Sequence, residues 1–423
     1  MTPPPATIRA MLRDLFDTAV QSADPRAVLR DALPDKPHGR CIVVGAGKAS
    51  AAMAAALEDA WPDVDMQGVV VTRYGHAVPT RRIRIIEAAH PVADAASEQA
   101  AHDILQAVRG LTADDCVIAL ISGGGSALLT LPREGLTLAD KQLVNKQLLH
   151  SGATIGEMNV IRKHLSAIKG GRLAQAAQPA RVITLLISDV PGDAPQDIAS
   201  GPTVADESSV DDVRAILDKY RLELPPHIRE TLLAPRPPVH AADIHPDVRF
   251  VASPAQALQA VARAARERYR LNTLILGDAL EGESAQLGII TAGIARSVRQ
   301  YGEPHPAPLL LISGGETTVT ISSGKPGKGG RNTEYLLSLA IALRGLDNVW
   351  AIAGDSDGID GTEDAAGAII TPDTLPRGSA RGMAAAAYLQ AHDSYSYFAA
   401  LDDLVKTGPT LTNVNDIRLV AVL

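Results

Sequence analysis

The chain has 423 residues, 40 basic and 48 acidic side chains for a net charge of −8, 46% hydrophobic residues and only 3% aromatics. That length suits two or three domains and a core large enough to need no disulfide or metal staple. Net acidity and scarce aromatics speak against nucleic-acid partners, which are held by basic stripes and stacking rings. No apolar run approaches the ~20 residues of a membrane span.

The N-terminal stretch carries acids early and lacks a long apolar stretch, so it does not read as a secretory signal. The first 33 residues predict one or two helices over Thr7–Leu33. Short apolar runs then alternate with Ala-rich helical stretches. The runs are Cys41–Val44, Gly68–Thr72, Ile83–Glu87, Cys116–Ser122, Val182–Ser188, Thr273–Leu276, Leu309–Ser313, Val349–Ala353 and Leu419–Val422. Several are apolar at every position, as strands buried on both faces are. The helical stretches are Ala49–Trp61, Ser97–Val108, Leu138–Leu149, Ala255–Tyr269, Ser284–Tyr301 and Thr333–Leu343. This alternation predicts α/β layers on mostly parallel sheets. Cys41 and Cys116 each open one of these runs, which fits buried free thiols in a reducing compartment, and the expected location is the cytoplasm. The proline-rich stretch Leu224–Pro246 reads as a linker between two lobes, dividing the chain into 1–246 and 247–423.

Glycine turns follow several strands. The turn Gly45-Ala46-Gly47-Lys48-Ala49-Ser50 offers backbone N–H groups and Lys48 to an anion. It is an incomplete dinucleotide fingerprint, since Ser50 stands where a third glycine belongs and the next strand ends on Arg73. A plain tight turn with a solvated lysine is the alternative reading. The turn Ser122-Gly123-Gly124-Gly125-Ser126 reads as a second anion nest or as a flexible turn. Arg162, Lys163, Lys169 and Arg172 form a basic stretch whose members point in different directions on a helix, and His164 beside them reads as structural. Carboxylates gather at strand ends. Asp189, Asp193 and Asp355 are candidate ligands for Mg²⁺, with turn capping as the alternative, and Glu316 after Gly314 and Gly315 is a further acidic candidate. The glycine-rich loop from Lys325 to Gly330 delivers Arg331 and Asn332 to a helix start, where an arginine stabilises charge on a phosphoryl group in flight.

Taken together, VVGAGKAS, SGGGSALL, NVIRKHLSAIKGGRLA, ISDVPGD, DIASGPT, SGGETTVT, GGRNTE, AGDSDGIDG and GPTLTNVND resemble the class II glycerate 2-kinase family. The motifs run in order along almost the whole chain. The resemblance implies two α/β lobes, a Rossmann-like N-terminal domain and a smaller C-terminal MOFRL domain at about residues 307–416. It implies an active site in the cleft between them. It implies transfer of a phosphoryl group from ATP to the 2-hydroxyl of D-glycerate, assisted by Mg²⁺ or another divalent cation. Lys48 and Arg331 fall on the family's essential lysine and arginine, and Asp189 is placed with them as catalytic. Gly45, Gly47, Ser122, Gly123, Gly124, Gly125, Ser126, Lys163, Lys169, Gly314, Gly315, Glu316 and Asn332 are placed as the substrate and ATP contacts. D-glycerate and ATP are the expected partners, with no nucleic acid and no membrane, and a homodimer as an allowed assembly. The family's older label, NAD(P)H-dependent hydroxypyruvate reductase, is the alternative activity, and a non-catalytic sugar-acid sensor is the third reading. In GPTLTN, Leu411 stands where a smaller residue is usual.

Overall fold

The structure, a computed structural model, describes residues 4–321 and 326–423. Lys325, at the head of the predicted glycine-rich loop, lies outside the described residues. The chain divides into two compact units and crosses between them four times: Pro25–Ser188 with Asp193–Val251, and Met1–Asp24 with Asp189–Gly192 and Ala252–Leu423.

In the unit holding Pro25–Ser188, six strands form one sheet. They are β1 (Cys41–Ala46), β2 (Met66–Arg73), β3 (Ile83–Ala88), β4 (Cys116–Ser122), β5 (Arg181–Ile187) and β6 (Asp247–Ala252), in the order β3-β2-β1-β4-β5-β6. The pairs β1–β2, β2–β3, β1–β4 and β4–β5 are parallel. Both β1 and β4 are buried at every residue, the reason their sequences are apolar throughout. This order reverses direction between β1 and β4, and in such sheets a crevice opens there at the carboxyl ends of the strands. The Gly45–Ser50 and Ser122–Ser126 turns follow those two ends. Register places Cys41 opposite Cys116, both buried and free. Burial pushes their thiols up to about 12 and about 11, so both stay protonated near neutral pH.

A helical sub-core sits within this unit. Val144 and Leu148 of helix Leu138–Ser151, Ile161 of helix Ile155–His164, Val213 and Leu217 of helix Val210–Lys219, and Ile228 and Leu232 of helix Pro226–Leu233 pack together. The proline-rich stretch therefore belongs to a packed unit instead of a free linker. Proline fits the first turn of helix Pro226–Leu233, where no N–H is needed. Arg236 beyond it donates to the carbonyls of Lys163, His164 and Ser166.

The other unit carries β7 (Asn272–Gly277), β8 (Gly282–Glu283), β9 (Leu309–Gly315), β10 (Thr317–Thr318), β11 (Val349–Asp355), β12 (Gly367–Ile370), β13 (Leu404–Val405) and β14 (Asp416–Val422). Its main sheet runs β13-β12-β11-β14-β9-β7, while β8 and β10 form a small parallel pair. Here the expectation of mostly parallel strands is corrected. Only β7–β9 is parallel in the main sheet; β11–β12, β11–β14, β12–β13 and β14–β9 are antiparallel. The cause is local: no helix links β11 to β12, and the last strand inserts between β11 and β9. Helix Pro5–Gln21 belongs to this unit, and its buried Phe16 ring lies against Gly354 of β11. The compact units thus differ from a division into 1–246 and 247–423, because the first helix finds its apolar partners in the later sequence. Among the described residues, no helix is long and apolar enough to cross a membrane.

Candidate functional site

The turn after β1 is closed mainly by groups of β2 and of the turn after β4. The N–H of Gly47 donates to Val71 O at 3.1 Å, that of Lys48 to Gly123 O at 2.9 Å and that of Ser50 to Gly47 O at 3.2 Å. Ala49 N–H donates to Ser122 Oγ at 3.0 Å. The expected nest of free amides is therefore spent inside the fold, and what the turn contributes is the Lys48 side chain. Glycine is required at 47, because φ is +142° and a Cβ there would fall 2.1 Å from Ser122 Oγ.

Ser122 ties this turn to the next, with its Oγ also 3.2 Å from Ser50 Oγ. Gly124 has φ +79°, and a Cβ there would sit 3.0 Å from the His90 ring and 3.3 Å from Lys48 Cγ. A bare Cα at 124 is what lets His90 and Lys48 approach. Burial, then the charges of Lys48 and Arg73, push His90 down to about 3, and burial lowers His76 as well. Both imidazoles are neutral near pH 7, which leaves the positive charge on Lys48 and Arg73. Gly125 packs on Ala199, whose Cβ would lie 2.6 Å from a Cβ at 125, and Ser126 Oγ is 2.8 Å from Ser200 Oγ.

The basic stretch separates by environment. Lys163 is buried in an ion pair with Asp206 at 3.4 Å, and His164 is buried beside Ser208, so both read as structural. Lys169 is 1% exposed and its Nζ donates to Ala199 O at 3.0 Å. Burial, then Lys141 and Arg162, lower its pKa far below the usual lysine range. Lys141, absent from the sequence-based set, is 4% exposed, and its Nζ is buried with no hydrogen-bond partner. Its spacing held the signal: residues 141, 144 and 148 share one helix face, and the other two are core Val and Leu.

In the other unit, Arg331 opens helix Arg331–Leu343 and is held by three carboxylates. Nε donates to Asp416 at 2.9 Å, Nη1 to Glu316 at 2.5 Å and Nη2 to Asp355 at 2.8 Å. Burial opposes the charge on Arg331, but Asp416, Asp355 and Glu316 outweigh it and raise its pKa well above the ordinary value. Asp416 also binds Arg418 Nη2 at 2.6 Å and Asn332 Nδ2 at 2.7 Å. Asp360 accepts the N–H groups of Asn332 and Thr333, both at 2.9 Å, capping the helix start from a distant loop. Burial pushes Asp360 up to about 6. Gly314 and Gly315 end β9 directly before Glu316. Asp416 and Asp360 reach Arg331 and the helix start from far along the chain, so no sequence spacing marks their role.

Asp189 is oriented by the GPTLTNVND segment: its Oδ2 accepts from Asn413 Nδ2 at 2.9 Å and its backbone O from Asn415 Nδ2 at 2.6 Å. Asp193 closes the 3₁₀ turn Pro191–Asp193 with φ +54°, and its Oδ1 is buried without a hydrogen-bond partner among the described residues. Asp355 has one oxygen on Arg331 and the other on the Asp357 N–H at 3.0 Å. Among the described residues, no three His, Cys, Asp or Glu side chains group as a metal cage. A Mg²⁺ that arrives with phosphates needs only one or two carboxylates. The orphaned Asp193 Oδ1 fits such a ligand, whereas both Asp355 oxygens are already engaged.

Comparison with known proteins agrees with this layout. Residues 11–233 match a domain of unknown function, DUF4147, and residues 309–416 match the MOFRL family. The chain is similar to an Agrobacterium vitis protein provisionally named a hydroxypyruvate reductase, at 58% identity over 98% of this chain and 94% of that one. It is 38% identical to a glycerate 2-kinase of Pyrococcus horikoshii over 98% of this chain and 97% of the other. The crystal structure of a glycerate kinase from Thermotoga maritima superposes with a TM-score of 0.89 at 35% identity, covering 99% of this chain and 100% of that chain. Fold and matches together define a two-part α/β protein, DUF4147 followed by MOFRL. The chain belongs to the class II glycerate 2-kinase family.

Proposed function

We propose that this protein is an ATP-dependent D-glycerate 2-kinase that yields 2-phosphoglycerate and ADP. The observation that carries this reading over the reductase is the closed turn after β1. A nicotinamide dinucleotide lays its pyrophosphate on free amides there. Here the amides of Gly47, Lys48, Ala49 and Ser50 already have acceptors.

Phosphoryl transfer asks mainly for positioning and for charge stabilisation. Lys48 supplies a cation to the substrate carboxylate or the moving phosphoryl group, beside the Ser122–Ser126 turn. Arg331 meets charge on the γ-phosphate. Glu316 is 50% exposed while Asp355 and Asp416 are buried, so Glu316 is the partner that yields Nη1 to phosphate. Asp189, fixed by Asn413 and Asn415, orients the 2-hydroxyl. That oxygen attacks the γ-phosphorus, the bond to the β–γ bridging oxygen breaks, and ADP leaves with the electron pair. The hydroxyl proton passes to Asp189 and then to solvent. Mg²⁺, when bound, neutralises phosphate charge, and Asp193 is the residue that would hold it.

The test is ADP release from ATP, Mg²⁺ and D-glycerate, with the product fed directly to enolase, which accepts only the 2-phosphate. ADP formation with enolase turnover is expected. The name of the Agrobacterium vitis relative favours the reductase, and NADH loss with hydroxypyruvate without ADP formation would replace the kinase reading.

A further inference from the structure

The helical sub-core of the first unit contains a group of cations without carboxylate partners. Among the described residues, Lys141 Nζ has no hydrogen-bond partner, at 4% exposure. Among the described residues, Lys169 Nζ donates to a backbone carbonyl alone, Ala199 O. Arg162 donates to amide oxygens, Asn145 Oδ1 at 3.2 Å and Asn159 Oδ1 at 3.3 Å. Among the described residues none of the three makes a salt bridge, while Lys141 and Arg162 both oppose the charge on Lys169, and Arg162 opposes that on Lys141. A buried lysine nitrogen with neither counter-ion nor acceptor is costly whether charged or neutral, and an arriving oxyanion is the kind of group that would complete it.

Polar contacts connect this group to the second glycine turn. Ser126 Oγ lies 2.8 Å from Ser200 Oγ, Ser200 Oγ donates to Asn159 Oδ1 at 3.4 Å, and that same oxygen takes Arg162 Nη1. Ala199 and Ser200 are both held at positive φ, 53° and 59°, although neither is glycine. Such strain clusters at ligand clamps. It turns the Ala199 carbonyl to Lys169 and the Ser200 hydroxyl to Ser126.

We propose that Lys141, Lys169 and Arg162 form a buried oxyanion subsite connected to the Ser122–Ser126 turn, filled by a carboxylate or phosphate group of the small-molecule reactants. The kinase reading supplies the identity of the anion; the site's existence rests on the buried Lys141 nitrogen, which has no partner among the described residues, and on its neighbours. The charges that bear on Lys141 are Glu98, which favours its protonation, and Arg162 and Arg236, which oppose it, while Lys141 in turn opposes the charge on Lys169. At neutral pH the lysine sits near half-protonation, with burial as the main cause, so an arriving anion draws a proton onto it.

The test is calorimetric titration at pH 7 of the whole protein and of Lys141→Met with D-glycerate, ADP and inorganic phosphate, each alone. The subsite predicts roughly 10–100-fold weaker binding in the variant for at least one of them, the scale of a lost charged hydrogen bond. Its melting temperature should be equal or higher. Loss confined to D-glycerate assigns the carboxylate; loss for ADP and phosphate assigns a phosphate group. Arg162→Gln should weaken the same ligand, and Lys141→Arg should restore much of it. Equal affinities in the folded variant, or no binding of any of the three to the unaltered protein, would overturn the proposal. The two readings fail separately. ADP formation with unchanged affinities keeps the kinase and removes the subsite. Weakened phosphate binding in a protein that forms no ADP does the reverse.

Discussion

Two clusters of positive charge, one in each unit, are handled in opposite ways. In one, Arg331 is surrounded by Asp355, Glu316 and Asp416, and Arg418 closes on Asp416 as well. In the other, Lys141, Lys169 and Arg162 face amide and carbonyl oxygens or no partner at all. A caged cation holds the fold and must give up a partner before it meets a ligand. An uncaged buried one costs stability until a ligand arrives. Residue type alone does not separate these roles; the surrounding carboxylates do.

The largest effect that probes this contrast is expected from Arg331→Ala. It removes the proposed γ-phosphate partner and leaves buried Asp355 and Asp416 facing each other. Breaking a buried pair costs about 3–5 kcal/mol, so both turnover and the denaturation midpoint should fall. Full activity, or an unchanged midpoint, would break the picture of a caged arginine. Lys48→Ala comes next. A transition-state charge contact is worth roughly 10²–10³ in kcat, and the midpoint should barely move because the turn is held by backbone bonds. A kcat within a few-fold of the unaltered protein would remove Lys48 from the chemistry. Glu316→Gln should lower the KM for ATP several-fold, since it frees Arg331 Nη1 from a competing carboxylate; a raised KM would mean that Glu316 serves the nucleotide directly.

A pH titration sharpens the other side. The folded-state pKa of Lys141 is lowered to about 7 by burial, while the unfolded chain titrates near the ordinary lysine value. Between those values the unfolded state binds more protons, so the unaltered protein gains stability as pH rises. The advantage of Lys141→Met should therefore be largest near and below pH 7 and fade toward pH 10. A gap that does not change with pH would mean that Lys141 is not desolvated. The smallest effect belongs to Leu411, whose φ is +64°. A non-glycine residue in that region costs about 1–2 kcal/mol, part of which glycine gives back in unfolded-state entropy. Leu411→Gly should be neutral to slightly stabilising by thermal melt.

Much of the fold was legible in the sequence because buried strands leave continuous apolar runs. Cys116–Ser122 and Ser284–Tyr301 coincide with the observed strand and helix. Strand β12 escaped because GAII is too short to stand out, and β6 because DVRFVA is mixed and lies beside prolines. Strand direction in the second sheet escaped because apolar runs carry no sign of parallel or antiparallel pairing. Among site residues, Lys48, Arg331 and the glycines stood out in turns after strands. Lys141 did not, since a lysine in a polar-looking helix reads as solvated until the face it shares is known. The expectation of free amides at Gly45–Ser50 failed for a related reason: their acceptors, Val71, Gly123 and Ser122, lie far away in sequence.

Helix Pro5–Gln21 carries a consequence for how the molecule is made. Its buried face, with Ile8, Leu12, Leu15 and Phe16, belongs to the unit completed by Ala252–Leu423. On the ribosome this helix emerges before the intervening unit, and the sheet it covers emerges after it. Throughout the synthesis of the intervening unit, a greasy stripe waits without its intended cover, and that interval is where nascent-chain chaperones would have most to protect. A C-terminal fragment beginning at Ala252 would face the converse problem, with the surface of β11 open where Phe16 should lie.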